Sequence, residues 1–360
     1  MIMSTRNYTS LGIMTGTSLD AVDLSLIKSD GDNKISFLGG ETYDFTCELR
    51  NKLRSILGST KRNSVIDLIE KNYTLFVISK IKSFLKNRKE KIDLIGFHGQ
   101  TITHNPKQGF TWQIGDAKKI YDYFKINTIY DFRSKDIKNG GNGAPLTPIF
   151  HKLLKDKFKL NNVAFINLGG ISNITYISKN EFKAFDCGPC CCISNQFIKD
   201  NINKEFDKDS LFASKGKVDF NIVKKLLKNN FFKIQSPKSL DTLDINIKEV
   251  YKLNLYDGLA TINEFIAKTI CLSLRRFSKD IHQLVFLGGG KKNIDLTSRI
   301  MNNIDFHVSI INDLEIENDL IESYAFAYLA IRSFKRKFIS FPLTTGVKKP
   351  MTGGKILKDL

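Results

Sequence analysis

Two stretches of this chain carry the same rhythm, and that repeat constrains the fold more than any other feature. Leu11 to Met14 is a short apolar run, Thr15-Gly16-Thr17-Ser18 is a turn of small residues, and Val22, Leu24 and Leu26 then alternate with other residues. Alternation is the period of a half-buried strand. Asp30-Gly31-Asp32 turns the chain again, and Ile35 to Phe45 reads as a third strand. The pattern recurs about 155 residues later, as internal repeats do. Val163 to Leu168 is apolar, Gly169-Gly170-Ile171-Ser172-Asn173 reads as a turn, and Ile174 to Ile177 as a strand. Asn180-Glu181 turns once more, and Phe182 to Phe185 runs into Asp186. Each half therefore opens with an antiparallel meander. Two such halves predict an α/β fold of two related lobes around a central cleft, with the site between them.

Helical spacing fills the rest. Ser64 to Leu85 places Ile66, Ile69, Tyr73, Phe76 and Val77 on one side, and Asp257 to Leu274 and Leu320 to Phe334 follow the same period. Short strands are expected at Ile92 to Phe97, ending in His98-Gly99-Gln100-Thr101, at Ile126 to Tyr130, ending at Asp131, and at Leu284 to Leu287, stopped by Gly288-Gly289-Gly290.

Composition narrows the function classes. A chain of 360 residues ordinarily makes about two domains of roughly 150 residues each. Its 27 Phe and 42% hydrophobic residues exclude intrinsic disorder. No run of about 18 apolar residues occurs, so no membrane partner is expected. The opening MIMSTRNYTSLGIM lacks the apolar core of a secretory signal, and a cytoplasmic protein is expected. The 55 Lys and Arg outnumber the 37 Asp and Glu, giving +18, a balance that raises the question of nucleic acid. The charge is scattered, and its densest run, Lys80 to Lys91, interleaves with Ile81, Phe84 and Leu85 as a solvated helix face would. No nucleic-acid partner is expected. Of the six cysteines, four crowd into Asp186-Cys187-Gly188-Pro189-Cys190-Cys191-Cys192. A disulfide framework needs spread pairs, and a zinc site needs a second pair of ligands that the sequence lacks.

The turns can do chemistry. Gly16-Thr17-Ser18 at a hairpin tip offers N–H groups and hydroxyls that suit phosphate oxygens, and Gly169-Gly170 holds the equivalent place in the second half. Gly288-Gly289-Gly290 lets a ligand approach the backbone but lacks the Lys-Ser/Thr of a Walker loop. Asp20 and Asp23 flank the first hairpin, and Asp186 is read as closing the third strand of the second meander. Such carboxylates act as general bases, hold magnesium, or simply form turns. Asp186 is the best placed, with Gly188-Pro189 following at a helix start. His98 alone reads as structural, and Arg133 offers a bidentate fork for an anion.

Taken in order, these motifs resemble the anhydro-N-acetylmuramic acid kinases of the actin, hexokinase and Hsp70-like ATPase superfamily. The stretches that carry the resemblance are Gly12 to Asp20, Gly96 to Thr101, Gln113 to Asp116, Asp131 to His151, Asn167 to Asn173, Gly288 to Gly290 with Asn293, and Glu322 with Ala325-Phe326-Ala327. The resemblance implies two RNase H-like lobes, residues 1–133 joined by 335–360, and residues 134–334 with inserted helices. It implies ATP and Mg2+ as cofactors and a sugar as substrate. Water, ATP and 1,6-anhydro-N-acetylmuramic acid would give N-acetylmuramic acid 6-phosphate and ADP, in the recycling of cell-wall sugars. Asp186 would be the base that takes the proton of water, and Glu322 a second catalytic carboxylate. Gly16, Thr17, Ser18, Leu19, Asp20, Ala21, Val22 and Asp23 would cradle the ATP phosphates with Gly169 and Gly170. Gly288, Gly289, Gly290 and Asn293 would lie along the nucleoside, and His98, Gln100 and Arg133 would meet the sugar. The residues that hold the metal stay open, and so does a homodimer, common in the family.

Three departures from the family pattern stand beside the site. Asp-Thr-Gly-Pro followed by a small residue and Asn becomes Asp186-Cys187-Gly188-Pro189-Cys190-Cys191, and a later family Asp is Asn195. An Arg is missing near Thr242, and Ala21 replaces Gly. They leave two alternatives beside the kinase: a sugar kinase with another acceptor, and a catalytically impaired nucleotide- or sugar-binding homologue.

Overall fold

The computed structural model describes residues 6–16, 19–240, 245–277, 280–311, 314 and 316–358. Thr17, Ser18 and Thr242 lie outside the described residues. The strands, in chain order, are β1 (Tyr8–Thr15), β2 (Ala21–Ser29), β3 (Ile35–Asp44), β4 (Leu94–Phe97), β5 (Gln100–Asn105), β6 (Phe110–Ile114) and β7 (Asn127–Tyr130). They continue as β8 (Val163–Leu168), β9 (Ile171–Ile177), β10 (Phe182–Pro189), β11 (Gln283–Leu287), β12 (Ser309–Ile311) and β13 (Lys355–Leu357).

The chain divides into two compact units, residues 1–158 with 315–360, and residues 159–314. In the first, β1, β2 and β3 form an antiparallel meander, β4 runs parallel to β1, and β7 parallel to β4, with β13 closing the edge. In the second, β8, β9 and β10 form the meander, β11 runs parallel to β8, and β12 parallel to β11. Both sheets thus read third, second, first, fourth, fifth across the meander and its parallel additions, which is the RNase H-like arrangement. The expected α/β class and the repeat are both present.

Local sequence explains the elements. Helix Ser64–Leu85 starts where the Asn63 side chain accepts the Ile66 N–H at 2.9 Å, the usual work of an N-cap. Ile66, Ile69, Tyr73, Val77, Ile81 and Phe84 recur at helical spacing and are buried against the meander. Each such side chain contributes about 1.5–3 kcal/mol by leaving water. Helix Leu255–Leu274 is capped in the same way by Asn254 and forms the centre of the second core, with residues from Gly258 to Ala267 buried in succession.

Helix Ile321–Phe334 is the spine of the first unit. From Ile321 to Ser333 every residue is buried except Glu322. It lies so close on β1 and β4 that a Cβ at Gly12 would stand 1.9 Å from the Ser323 carbonyl oxygen, and one at Gly96 would stand 2.4 Å from that of Phe326. Only glycine admits that approach. This packing moves the expected unit boundaries. Helix Pro148–Lys157 joins the first unit because Phe150 packs on Tyr328 and Phe37. The division therefore falls after residues 158 and 314, not after 133 and 334.

Two local readings are also corrected. Ile171 to Asn173 belong to β9, so the second hairpin turns on Gly169-Gly170 alone. Asp186 does not close its strand: β10 runs on to Pro189, with a bulge between Asp186 and Gly188. Among the described residues no helix is long and apolar enough to cross a membrane.

Candidate active site

The first hairpin is fixed from beneath. Thr15 Oγ1 meets the Tyr73 hydroxyl at 3.1 Å and donates to the Gly99 carbonyl at 3.0 Å. Gln100 is fully buried, and its Nε2 donates to the Gly16 carbonyl at 3.3 Å and to that of Thr101 at 3.1 Å. Leu19 is buried with φ of 59°, a left-handed turn that carries the exposed Asp20 to the start of β2. Ala21 is half-buried and Val22 is fully buried, so Val22 anchors the hairpin in the core.

Asp23 sits two residues into β2, in register with Met14 of β1 and Thr42 of β3. Thr42 Oγ1 donates to Asp23 Oδ1 at 2.7 Å. Burial, with the carboxylates of Glu322 and Asp319 nearby, still pushes the Asp23 carboxyl up to about 6 against that hydrogen bond. Glu322, expected as a catalytic carboxylate, thus acts electrostatically on Asp23 of the first hairpin, in its own unit.

His98 and Arg133 form a fixed pair. Arg133 Nε donates to His98 Nε2 at 2.9 Å, and its Nη1 donates to the Gly143 carbonyl at 2.8 Å. His98 Nε2 must therefore be an acceptor, which puts the ring proton on Nδ1, 2.8 Å from the Gly99 carbonyl. Burial and the Arg133 charge hold His98 well below the usual histidine range. The same two causes hold His104 down to about 4. His98 thus has both ring nitrogens engaged with the protein, and Gln100 has its Nε2 so engaged, while Gln100 Oε1 is buried with no hydrogen-bond partner. The Gly143 loop is shaped in turn by buried Asp136, whose Oδ1 accepts the Gly143 N–H at 2.7 Å and whose Oδ2 accepts the Thr345 hydroxyl at 2.6 Å. Tyr73 is legible in the sequence only as part of an apolar helix face, and Thr42 and Asp136 are not singled out there, because Thr15, Asp23 and Thr345, their respective partners, are brought to them by the fold.

In the second unit, the Gly169-Gly170 turn is held by main chain. The N–H groups of Cys190, Cys191 and Cys192 donate to the carbonyls of Gly170, Gly169 and Gly170 at 2.9, 3.0 and 3.2 Å. These are the first N–H groups of helix Cys191–Ile202 and its cap. Asn167, Asn173 and Asp186 stand in register across β8, β9 and β10, so they form one polar row on one face of the sheet. Asn173 Oδ1 is buried and has no hydrogen-bond partner.

The bulge re-aims Asp186 at the end of this row. Leu240 N–H donates to Asp186 Oδ2 at 2.9 Å, and the Asp186 N–H donates to the Lys238 carbonyl at 3.0 Å. Lys238 is itself buried, donating to the Phe231 carbonyl at 3.1 Å with its ammonium 4.0 Å from the centre of the Phe231 ring. Burial, with Arg276 adding to it, holds Lys238 down to about 8, while Cys187 and Asp186 oppose the shift. A carboxylate held in this way can accept a proton from a bound water.

Gly288 to Gly290 lie against the end of β8. A Cβ on Gly288, at φ of 81°, would stand 2.4 Å from Asn167 Oδ1, and one on Gly290 would stand 2.7 Å from Cys191 Sγ. A Cβ on Gly289 would meet nothing within 4 Å, so this glycine alone faces open space. Asn293, expected along a nucleoside, caps helix Ile294–Asn303: its Oδ1 accepts the Leu296 N–H at 3.0 Å and the Ser210 hydroxyl at 2.8 Å.

Comparison with known proteins adds identity to this geometry. The family model described as anhydro-N-acetylmuramic acid kinase matches residues 8–359. The anhydro-N-acetylmuramic acid kinase of Pelagibacter ubique is 39% identical, over 98% of this chain and 99% of its own. That of Zymomonas mobilis subsp. mobilis is 38% identical, over 96% and 99%. Among solved structures, component A of (R)-2-hydroxyglutaryl-CoA dehydratase from Acidaminococcus fermentans aligns at 12% identity with a TM-score of 0.45, covering 90% of this chain and 98% of that one.

Proposed function

The chain belongs to the anhydro-N-acetylmuramic acid kinase family, and from that premise we propose that it opens 1,6-anhydro-N-acetylmuramic acid with water and phosphorylates O6 from ATP. The family match over residues 8–359 carries this reading. Water attacks the anomeric carbon, the bond from that carbon to O6 breaks, and O6 attacks the γ-phosphorus as ADP leaves. Asp186 takes the proton of the attacking water. Its Oδ2 is fixed by the Leu240 N–H, and a base so positioned supplies about 10²–10⁴-fold.

Phosphoryl transfer depends mainly on positioning and on neutralising charge. The Gly16 to Asp23 segment would cradle the phosphates, with Gln100 holding the Gly16 carbonyl in place. Arg133 keeps its guanidinium oriented through His98 and Gly143 and so offers a fixed cation to the acidic sugar. His98 and Gln100 act as positioning residues. Glu322, the one residue of its helix run that is not buried, serves as the second carboxylate.

The donor set fits a phosphate-bound magnesium ion. Magnesium takes one or two carboxylates, with phosphate oxygens and waters completing its shell. No group of three or more metal-binding side chains occurs among the described residues. Asp20, exposed at the hairpin tip, and Asp23 would hold it. The ion would neutralise charge on the phosphates when bound.

Mixing the protein with Mg-ATP and the anhydro sugar, and following ADP and product mass, tests the reading. Sugar-dependent ADP release with a phosphorylated, hydrated sugar supports it. ADP release with another sugar alone would give the chain a different acceptor.

A further inference from the structure

The cysteine cluster beside Asp186 has no part in the chemistry above, and its four thiols are not alike. Cys187 is buried, and burial pushes its thiol up to about 12. Cys192, partly exposed, is pushed up to about 11 by the same cause. Cys190 and Cys191 face each other, Sγ to Sγ at 3.9 Å. Cys190 is fully buried and Cys191 is partly exposed. Cys191 is also the first residue of a 12-residue helix, whose N-terminal partial charge favours a thiolate. Cys191 Sγ also lies 3.9 Å from the Leu168 carbonyl; with Cys190 as donor in the contact between the two thiols, Cys191 is held below the usual thiol range and Cys190 is raised.

We propose that Cys190 and Cys191 are a peroxide-reactive dithiol, in which partly exposed Cys191 reacts first and buried Cys190 closes a disulfide. The Cys191 thiolate attacks one oxygen of hydrogen peroxide, the O–O bond breaks, and the departing hydroxide takes up a proton to become water. This leaves a sulfenic acid on Cys191. The Cys190 sulfur attacks the Cys191 sulfur, the S–O bond breaks, and the hydroxyl leaves with the Cys190 proton as a second water. Two thiols and one peroxide become one disulfide and two waters.

The placement makes the bond consequential. The two sulfurs must close from 3.9 Å to about 2.0 Å. Since the residues are adjacent, the ring that forms contains their shared peptide bond. The main chain of Cys190 and Cys191 must therefore twist. Their N–H groups are those that hold the Gly170 and Gly169 carbonyls. Oxidation thus loosens the second hairpin, and reduction by a thiol restores it. That functional consequence rests on the kinase reading, while the dithiol chemistry does not.

The test uses the full chain in its native state. It is treated with hydrogen peroxide, denatured in an alkylating agent and mapped by mass. The expected product is a peptide containing Cys190 and Cys191 that has lost two hydrogens and is no longer alkylated at either, while Cys187 stays alkylated. Dithiothreitol reverses it. Sugar-dependent kinase activity falls by at least about tenfold, as loss of positioning does, and returns with the thiol. Cys190→Ala traps Cys191 as a sulfenic acid that dimedone labels. Cys191→Ser, measured against its own untreated control, gains resistance to peroxide. Full alkylation of both residues after treatment, or oxidation confined to Cys187 or Cys192, overturns the dithiol. A disulfide with unchanged activity overturns its coupling to the hairpin. A disulfide in a protein that was never a kinase overturns the kinase reading and leaves the dithiol standing.

Discussion

The two units share a strand order but secure their hairpins by different means. In the first, side chains hold the turn: Gln100 reaches the Gly16 carbonyl, and Thr15 binds Tyr73 and Gly99. In the second, main chain does so, through the N–H groups of residues 190–192. The carboxylates differ likewise. Asp23 lies on the middle strand of its meander beside Thr42, and Asp186 lies on the third strand of its own, in a row with Asn173 and Asn167. A repeated fold therefore supplies the same scaffold twice, with different side chains and different means of holding the turn in each copy. The side-chain-held turn should be sensitive to single substitutions, and the main-chain-held turn should tolerate them.

Asp186→Asn should have the largest effect, a fall of about 10²–10⁴-fold in kcat with thermal stability nearly unchanged. An unaltered kcat would remove the functional distinction between the two carboxylates. Gly12→Ala should come next, because its Cβ would meet the Ser323 carbonyl oxygen at 1.9 Å. Overpacking of this kind costs about 1–3 kcal/mol, and thermal unfolding should show a lowered Tm.

Gln100→Ala should raise the KM for ATP by about tenfold, a loss of about 1.4 kcal/mol at the Gly16 carbonyl, with Tm changed much less than in Gly12→Ala. Asp23→Asn tests the tuning of the first carboxylate. Its folded value of about 6 lies above the ordinary value of about 3.9. The folded state therefore holds the proton more tightly, and this group makes stability fall as pH rises from about 4 to 6. Above that window its ionisation is a standing cost, which Asn removes while keeping an acceptor for Thr42. The variant should be more stable than the parent by about 1 kcal/mol at pH 7.5, allowing for solvent screening, and equal to it near pH 4. Denaturant unfolding at the two pH values would show this, and an equal difference at both would contradict it. Cys192→Ala should do least, changing kcat/KM by less than about twofold, since only its N–H serves the turn.

Legibility in the sequence followed the range of the forces involved. Helix Ser64–Leu85 is readable to its ends because an apolar stripe and an Asn63 cap are local signals. Both meanders are readable because alternation is local too. The bulge at Asp186 is not, since it exists only through pairing with β9. Asn293 reads two ways for a related reason: an Asn before an apolar run caps a helix whether or not a ligand is near, and here Ser210 completes the cap. The partners that orient His98 and Gln100, which are Arg133, Gly99 and Gly16, are not legible either, because they are brought there only by the fold. The contact of Lys238 with Asp186 shows no local signal, because the Lys238 carbonyl makes it, accepting the Asp186 N–H.

The proposed reaction joins hydrolysis and phosphoryl transfer in one event. It is tested most directly by running the reaction with Mg-ATP and the anhydro sugar in water enriched in heavy oxygen, and locating the label by mass fragmentation. One heavy oxygen is expected on the anomeric carbon of a 6-phosphorylated sugar, and none in its phosphoryl group. Heavy oxygen in free phosphate, with the anhydro sugar intact, would contradict it.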